Sequence, residues 1–407
     1  MRGSESEVSE FLSTGIYRLS NFSGVFVDPV RLLNSSYSSH QVSSTAYYSR
    51  FFQSKQEQPR TTSRKKRKRA ATSPPPLNQA ELRHQEVRPV LVKAHESFLE
   101  ATHLLSVLPT LRNTSENSNV SGVKQSLVQL GAVWQAPLFD ITLKFHSNQA
   151  HPFDNGDVPT SFVDSKVLPI FNNLVANDTS YDVEAELLDS KYIIPRHSCF
   201  LMSDMVHINK LIPENSDCGF HLIVVDPPWE NGSARQKSMY PTLPNKYFLS
   251  LPIKKLAHTE GAIVALWVTN REKLRSFVER ELFAKWGVKH VATYYWLKVK
   301  ADGSLISELD LFHHRPYECL LLGYCFGEAA TSSQKTTFKT LRDDVIISIP
   351  GDYSRKPPLE ELLKEYVPGS KPAKCIELFA REMAAGWTSW GNEPLHFQDS
   401  SYFIKGV

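Results

Sequence analysis

From residue 195 onward, short apolar runs alternate with stretches whose hydrophobic positions recur every three or four residues. That alternation predicts βαβ units and an open, doubly wound α/β sheet, mostly parallel. Strands are predicted over 221–225, 261–269, 291–299, 318–325, 344–350 and 374–380. A helix is predicted over 271–286, with Leu274, Phe277, Val278, Leu282 and Phe283 on one face. A second is predicted over 356–367, where Leu359, Leu362, Leu363 and Tyr366 form a stripe and the leading prolines suit a first turn. Ligands of such sheets bind at the carboxyl ends of the strands. Asp226, Asn270 and Glu377 all fall at or near such ends.

Upstream the texture is weaker. Leu82, Val87, Val90 and Leu91, then Leu104, Leu105, Leu108 and Leu111, are spaced as in helices, and another helix is predicted near 166–175. "GVFVDPVRLL" (24–33) is strand-like. The chain therefore divides into an amino-terminal arm (1–60), a basic, Pro-rich linker (61–79), a mostly helical middle region (80–194) and the α/β domain (195–407).

Charge and cysteine usage refine this picture. Net charge is +3 over 407 residues, yet residues 64–69, "RKKRKR", account for all of the excess; the rest holds 40 basic against 43 acidic side chains. A basic run in such a setting reads as a nuclear address, compatible with an additional cytoplasmic pool. No apolar run reaches signal-peptide or membrane-span length, so no membrane association is expected. The five scattered cysteines form no CxxC and no zinc spacing, as expected of reduced intracellular thiols. Asp310 with His313 and His314 reads as surface, and no metal is expected.

The chemistry concentrates in "HLIVVDPPWENGSARQKSMYP" (221–241). Asp226 ends a buried strand, and Pro227 and Pro228 stiffen the turn that follows. A carboxylate and the adjacent Pro227 carbonyl are two acceptors suited to the two N–H bonds of one exocyclic amino group. Held so, the nitrogen presents its lone pair to an electrophile, for which a methyl sulfonium is the natural candidate. Trp229 offers a stacking surface for a flat base, worth roughly 1–3 kcal/mol. No GxGxxG or Walker loop is present, which excludes the standard dinucleotide and P-loop readings.

DPPW is followed in order by "LWVTN" (266–270), "YWLKV" (295–299), "YECLLLG" (317–323), "KPP" (356–358) and "ELFAREMAAGWTSWGNE" (377–393). Together these blocks resemble the eukaryotic DPPW-type adenine-N6 methyltransferases, the MT-A70-like family, over roughly residues 195–407. The resemblance implies a Rossmann-like methyltransferase domain in permuted order, with DPPW ahead of the cofactor half. It implies S-adenosyl-L-methionine as methyl donor and S-adenosyl-L-homocysteine as product. Asp226, Pro227, Pro228 and Trp229 would be catalytic. Ser203, Asp204 and Met205 would meet the cofactor's adenine, and Lys356, at a helix start, its carboxylate. Asp226, Glu377, Phe379, Arg381, Asn392 and Glu393 would complete the cofactor site. The target adenine and its phosphates would meet Trp229, Asn231, Arg235, Lys237, Tyr240, Lys246, Asn270 and Glu318. "AREMAAGW" is shorter than its counterpart in the messenger-RNA enzyme, which leaves 383–385 without an assigned contact, and Glu393 stands where that enzyme has a glutamine.

Three functions fit this reading: an active adenine-N6 methyltransferase, an inactive nucleic-acid-binding subunit, and a nuclear scaffold working through residues 1–194. The retained Asp226 and Trp229 favour the first. RNA is the preferred substrate, with N6,2′-O-dimethyladenosine of small nuclear RNA a specific candidate, and DNA is the alternative. Residues 1–194 would take the place of a partner subunit and permit a monomer.

Overall fold

The computed structural model describes residues 2–48, 79–112, 142–146, 165–187, 189–215, 218–230, 242–311, 314–328, 330, 338–352, 355–369 and 372–406. An 11-stranded sheet forms its centre. From one edge to the other it contains β1 (Ile16–Arg18), β2 (Gly24–Val27), β14 (Asp344–Ser348), β12 (Lys289–Lys298), β13 (Tyr317–Cys325), β11 (Ala262–Val268), β10 (Leu222–Val225), β15 (Cys375–Leu378), β16 (Trp387–Gly391), β9 (Ser198–Met202) and β6 (Leu174–Asn177). Only β1, β13 and β6 run against the rest. The carboxyl ends of β10, β11, β12, β15, β16 and β9 therefore share one rim with the amino end of β13.

The central strands are buried on both faces, which is why their sequences read as continuous apolar runs rather than alternating ones. Leu222 and Val224 of β10 join one core with Ile263, Ala265 and Trp267, while Ile223 and Val225 join the opposite core with Val264 and Leu266. Each such side chain contributes about 1.5–3 kcal/mol by burial. The helix predicted over 271–286 is present as Glu272–Phe277, a π turn over Val278–Leu282 and Phe283–Trp286. It ends on Gly287, whose φ of 68° supplies the left-handed cap.

The upstream regions depart from expectation. The arm is part of the main sheet: β2 pairs with β14, and Pro29–Asn34 forms a helix capped by Asp28. β3 (His40–Val42) pairs with β17 (Phe403–Lys405) near the other end of the chain. Asp182 fastens the arm, accepting from the Ser38 and Ser39 amides (2.5 and 2.9 Å) and from His40 Nδ1 at 2.5 Å. The middle region is helical only at its start. Gln79–Glu100 buries Val87, Leu91, Ala94 and Phe98 on one stripe, while Leu82 and Val90 face solvent. Beyond it lie β6 and a four-stranded sheet of β5 (Ser165–Pro169), β4 (Thr142–His146), β7 (Val183–Leu187) and β8 (Ser190–Ile194). The helix expected near 166–175 is instead β5 and β6. Pro169 ends β5, and Asn172, at φ 55°, turns the chain toward β6 where a helix would have to continue.

The basic run 64–69 lies outside the described residues. Among the described residues no helix is long and apolar enough to cross a membrane, and all five cysteines are free.

Candidate active site

Asp226 follows β10 at the shared rim, and the register puts Leu378 of β15 beside Val225. Lys356 Nζ stands 3.4 Å from Asp226 Oδ1 and 3.2 Å from Glu318 Oε2. Glu318, on the antiparallel β13, is paired in turn with Lys298 at the end of β12. Four charged side chains, from β12, β13, the turn after β10 and one loop, thus form an alternating row. Burial alone would raise the Glu318 carboxyl, but Lys298 and Lys356 hold it at about 2. Burial lowers the Lys298 amine against the field of Glu318. For Lys356 burial opposes the charge, and Asp226 and Glu318 outweigh it, so its pKa is raised. Lys298 Nζ also lies 4.3 Å from the centre of the Trp296 ring.

A cavity of about 340 Å³ opens beside this row, in the size range of small-molecule sites. Asp226, Lys356, Glu377, Phe379 and Arg381 line it, five of the residues expected to hold a cofactor. Glu377 is half-buried at its edge. Burial, with the neighbouring Asp226 and Glu382 carboxylates, pushes its carboxyl up to about 8. Phe379 has a φ of 62°, a left-handed conformation costly for a bulky residue. It turns its ring onto Phe248 and Trp390, at 5.4 and 5.0 Å between centroids.

Ser203, Asp204, Met205, Asn392 and Glu393 do not line the cavity. β9 and β16 are neighbours with Met202 opposite Gly391, so Ser203 and Asn392 emerge side by side. The Ser203 amide donates to Gly391 O at 3.0 Å and its hydroxyl accepts from Trp390 Nε1 at 2.9 Å. Asp204 caps a short helix through the Val206 amide and contacts His207. Met205 packs on the core, Asn392 is exposed, and Glu393 lies 3.8 Å from His396. From β10 across β15 and β16 to β9 is three strand spacings, about 14 Å, the reach of an extended nucleoside ligand.

Trp229 is 6 % exposed, its indole N–H donates to Trp267 O at 2.8 Å and its ring meets Phe248 edge-on. Its ring packs into the core beneath the DPPW turn among the described residues. Pro227 O already accepts the Trp229 amide at 2.8 Å, leaving one lone pair for a ligand. Asn270 Nδ2 donates to Tyr317 O at 2.5 Å, which ties β11 to β13. Lys246 is exposed. Asn231, Arg235, Lys237 and Tyr240 lie outside the described residues. Lys356 does not begin a helix: Pro357 and Pro358 delay it, and one turn forms at Glu360–Leu363. Met383–Ala385, which had no expected contact, line the cavity.

Sequence reasoning missed Lys298, Arg355, Glu382 and the arm residues Leu32–Ser36. A lysine ending an otherwise aromatic strand and an arginine next to Lys356 were available signals for the first two. Arg355 lies between the Tyr47 and Phe397 rings, 4.3 Å from each centre, and its Nε donates to Glu382 at 2.8 Å.

Asp310 accepts from Arg88 Nε at 2.6 Å and contacts His84, so it fastens the Gln79–Glu100 helix. His313 lies outside the described residues. A cluster of His221, His258 and Glu260 occurs at the amino ends of β10 and β11. The Nδ1 atoms of its histidines face the Lys374 and Glu260 amides at 3.2 and 3.1 Å. That arrangement occupies each Nδ1 lone pair and leaves the proton on Nε2, which disfavours metal ligation.

Residues 220–393 match the MT-A70 family model. Similar proteins include the mouse N(6)-adenine-specific methyltransferase METTL4, 39 % identical over 58 % of this chain and 50 % of the relative. The Pyricularia oryzae N6-methyladenosine RNA methyltransferase MTA1 is 31 % identical over 53 % of this chain and 57 % of its own. The Caenorhabditis elegans DNA N6-methyl methyltransferase is 31 % identical over 54 % and 57 %. The chain spans about half the length of the METTL4 relatives it matches. The aspartate-prolyl-prolyl-tryptophan turn on β10 and the acidic strand end on β15 both lie within residues 220–393, the stretch over which the chain matches the MT-A70 family.

Proposed function

We propose that this protein transfers a methyl group from S-adenosyl-L-methionine to N6 of adenine in nucleic acid. The observation that carries the reading is the Asp226–Lys356–Glu318–Lys298 row bordering the cavity at the carboxyl end of β10. The cavity's donor set suits this cofactor. Lys356 and Arg381 would hold its α-carboxylate, Asp226 and Glu377 would meet its ammonium and ribose hydroxyls, and Phe379 and Trp387 would supply apolar surface. When bound, S-adenosylmethionine supplies an electrophilic methyl on a sulfonium.

The chain's own part is to orient the acceptor. Asp226 accepts one N–H of the adenine amino group and Pro227 O accepts the other with its remaining lone pair. The amino lone pair, delocalised in free adenine, is thereby directed at the methyl group. Lys356 fixes the Asp226 carboxylate from 3.4 Å, and Trp229 holds the turn rigid from beneath. The target base must lie outside a duplex to reach this depth.

RNA is the preferred substrate, in particular an adenosine carrying a 2′-O-methyl group, as in small nuclear RNA; the names of its relatives divide between RNA and DNA. The basic run 64–69 supports import into the nucleus. The arm's place in the central sheet supports a monomer that needs no partner subunit. A labelled-methyl assay on matched RNA, 2′-O-methylated RNA and DNA, read by nucleoside mass spectrometry, tests the proposal. Asp226→Ala is expected to lower transfer by at least about a hundredfold while fold and nucleic-acid affinity persist. Normal methylation by that variant would refute the mechanism; DNA as the best substrate would refute the RNA preference.

A further inference from the structure

The loop 381–385, where this chain departs from its resemblance, borders the cavity and leans on the amino-terminal arm. Leu32, Leu33, Ser35 and Ser36 of the arm line the same cavity. The Ala385 amide donates to Ser36 Oγ at 3.1 Å, and Arg196 donates to Ser35 O at 2.6 Å. Gln398 links the two sides: its Oε1 accepts the Met383 amide at 3.0 Å and its Nε2 donates to Tyr37 Oη at 3.0 Å. The loop is thus held by a segment from the other end of the chain.

We propose that residues 32–36 form a built-in wall of the cofactor cavity, with Ser36 a positioning residue that holds the 381–385 loop against the bound cofactor. The proposal rests on the cofactor reading above. Ser36 is buried, and its hydroxyl supplies the acceptor for the Ala385 amide. Removing that acceptor leaves a loop amide to find water, which loosens the wall without touching the Asp226 row. Arg355 extends the same contact: its guanidinium, stacked on Tyr47 of the arm, is paired with Glu382 of the loop.

The test uses the full chain as Ser36→Ala and Ser36→Thr. The dissociation constant of S-adenosylhomocysteine and the KM for S-adenosylmethionine are expected to rise roughly two- to tenfold in Ser36→Ala, as for loss of one hydrogen bond. kcat at saturating cofactor and KM for nucleic acid should stay within about twofold, and Ser36→Thr should restore the cofactor values. Hydrogen exchange at the Ala385 amide should quicken in Ser36→Ala alone. Unchanged cofactor binding, or unchanged exchange, would overturn the proposal. A wild-type protein that binds neither cofactor nor product would overturn the cofactor reading and this inference with it.

Discussion

The Glu377 carboxyl makes cofactor binding a proton-linked event. Its pKa stands at about 8, because burial and the carboxylates of Asp226 and Glu382 disfavour a further negative charge. At pH 7 the unliganded protein therefore holds a proton there. A ligand that brings a sulfonium, an ammonium and a ribose diol into the cavity favours the ionised carboxylate and expels that proton. If the carboxylate is the binding-competent form, apparent affinity is about tenfold below its plateau at pH 7 and about a hundredfold below it at pH 6, levelling off above 8. Calorimetric titration with S-adenosylhomocysteine from pH 6 to 9, in buffers of different ionisation enthalpy, measures both the affinity and the proton released. The ligand's own α-amino group titrates in the same region, so the informative quantity is the difference between wild type and Glu377→Gln. The variant should lose the Glu377-linked proton release and flatten the profile below pH 8. Superimposable wild-type and variant profiles would refute the reasoning. The same shift acts on folding. A carboxyl raised in the folded state stabilises the unliganded protein fully below its unfolded pKa of about 4.5, and the contribution is lost as pH rises through about 8, a change of at most about 5 kcal/mol. Thermal unfolding without ligand should accordingly shift downward between pH 5 and 9, less so in Glu377→Gln.

Lys356→Met removes the cation between Asp226 and Glu318, each interaction worth about 5 kcal/mol gross at these separations. Cofactor affinity should fall by at least about a hundredfold by calorimetry, and Lys356→Arg, with its different geometry, should restore only part of it. Trp229→Ala should behave as a core truncation, costing about 3–5 kcal/mol in denaturant unfolding. Trp229→Leu should lose part of the stability yet leave the KM for nucleic acid within about twofold, whereas a base-stacking role predicts a clear rise in that KM.

What the sequence disclosed, and what it withheld, follows from where each residue's neighbours lie along the chain. Strands β10, β11, β13 and β15 were legible because burial on both faces writes a continuous apolar run. β9 and β16 were not, since Ser198, Thr388 and Ser389 interrupt theirs. Residues 166–175 carry apolar spacing that fits a helix, and only Pro169 and Asn172 betray the break. At the site, Asp226 and Glu377 were found because a strand end marks them locally. The Glu318–Lys298 pair depends on the antiparallel register of β12 and β13, which places Trp296 opposite Glu318, and no local spacing encodes it. The burial of Trp229 was hidden for the same reason: a tryptophan after a turn can face solvent or core, and the choice is made by Phe248 and Trp267, which follow it in the chain. The arm is the extreme case. Its apolar run was visible as strand-like, but its partner β14 lies near the opposite end of the chain. Chemistry carried by a single strand end can thus be read directly, whereas the surroundings that tune its charge and enclose its ligand are set by pairings that only the folded chain makes.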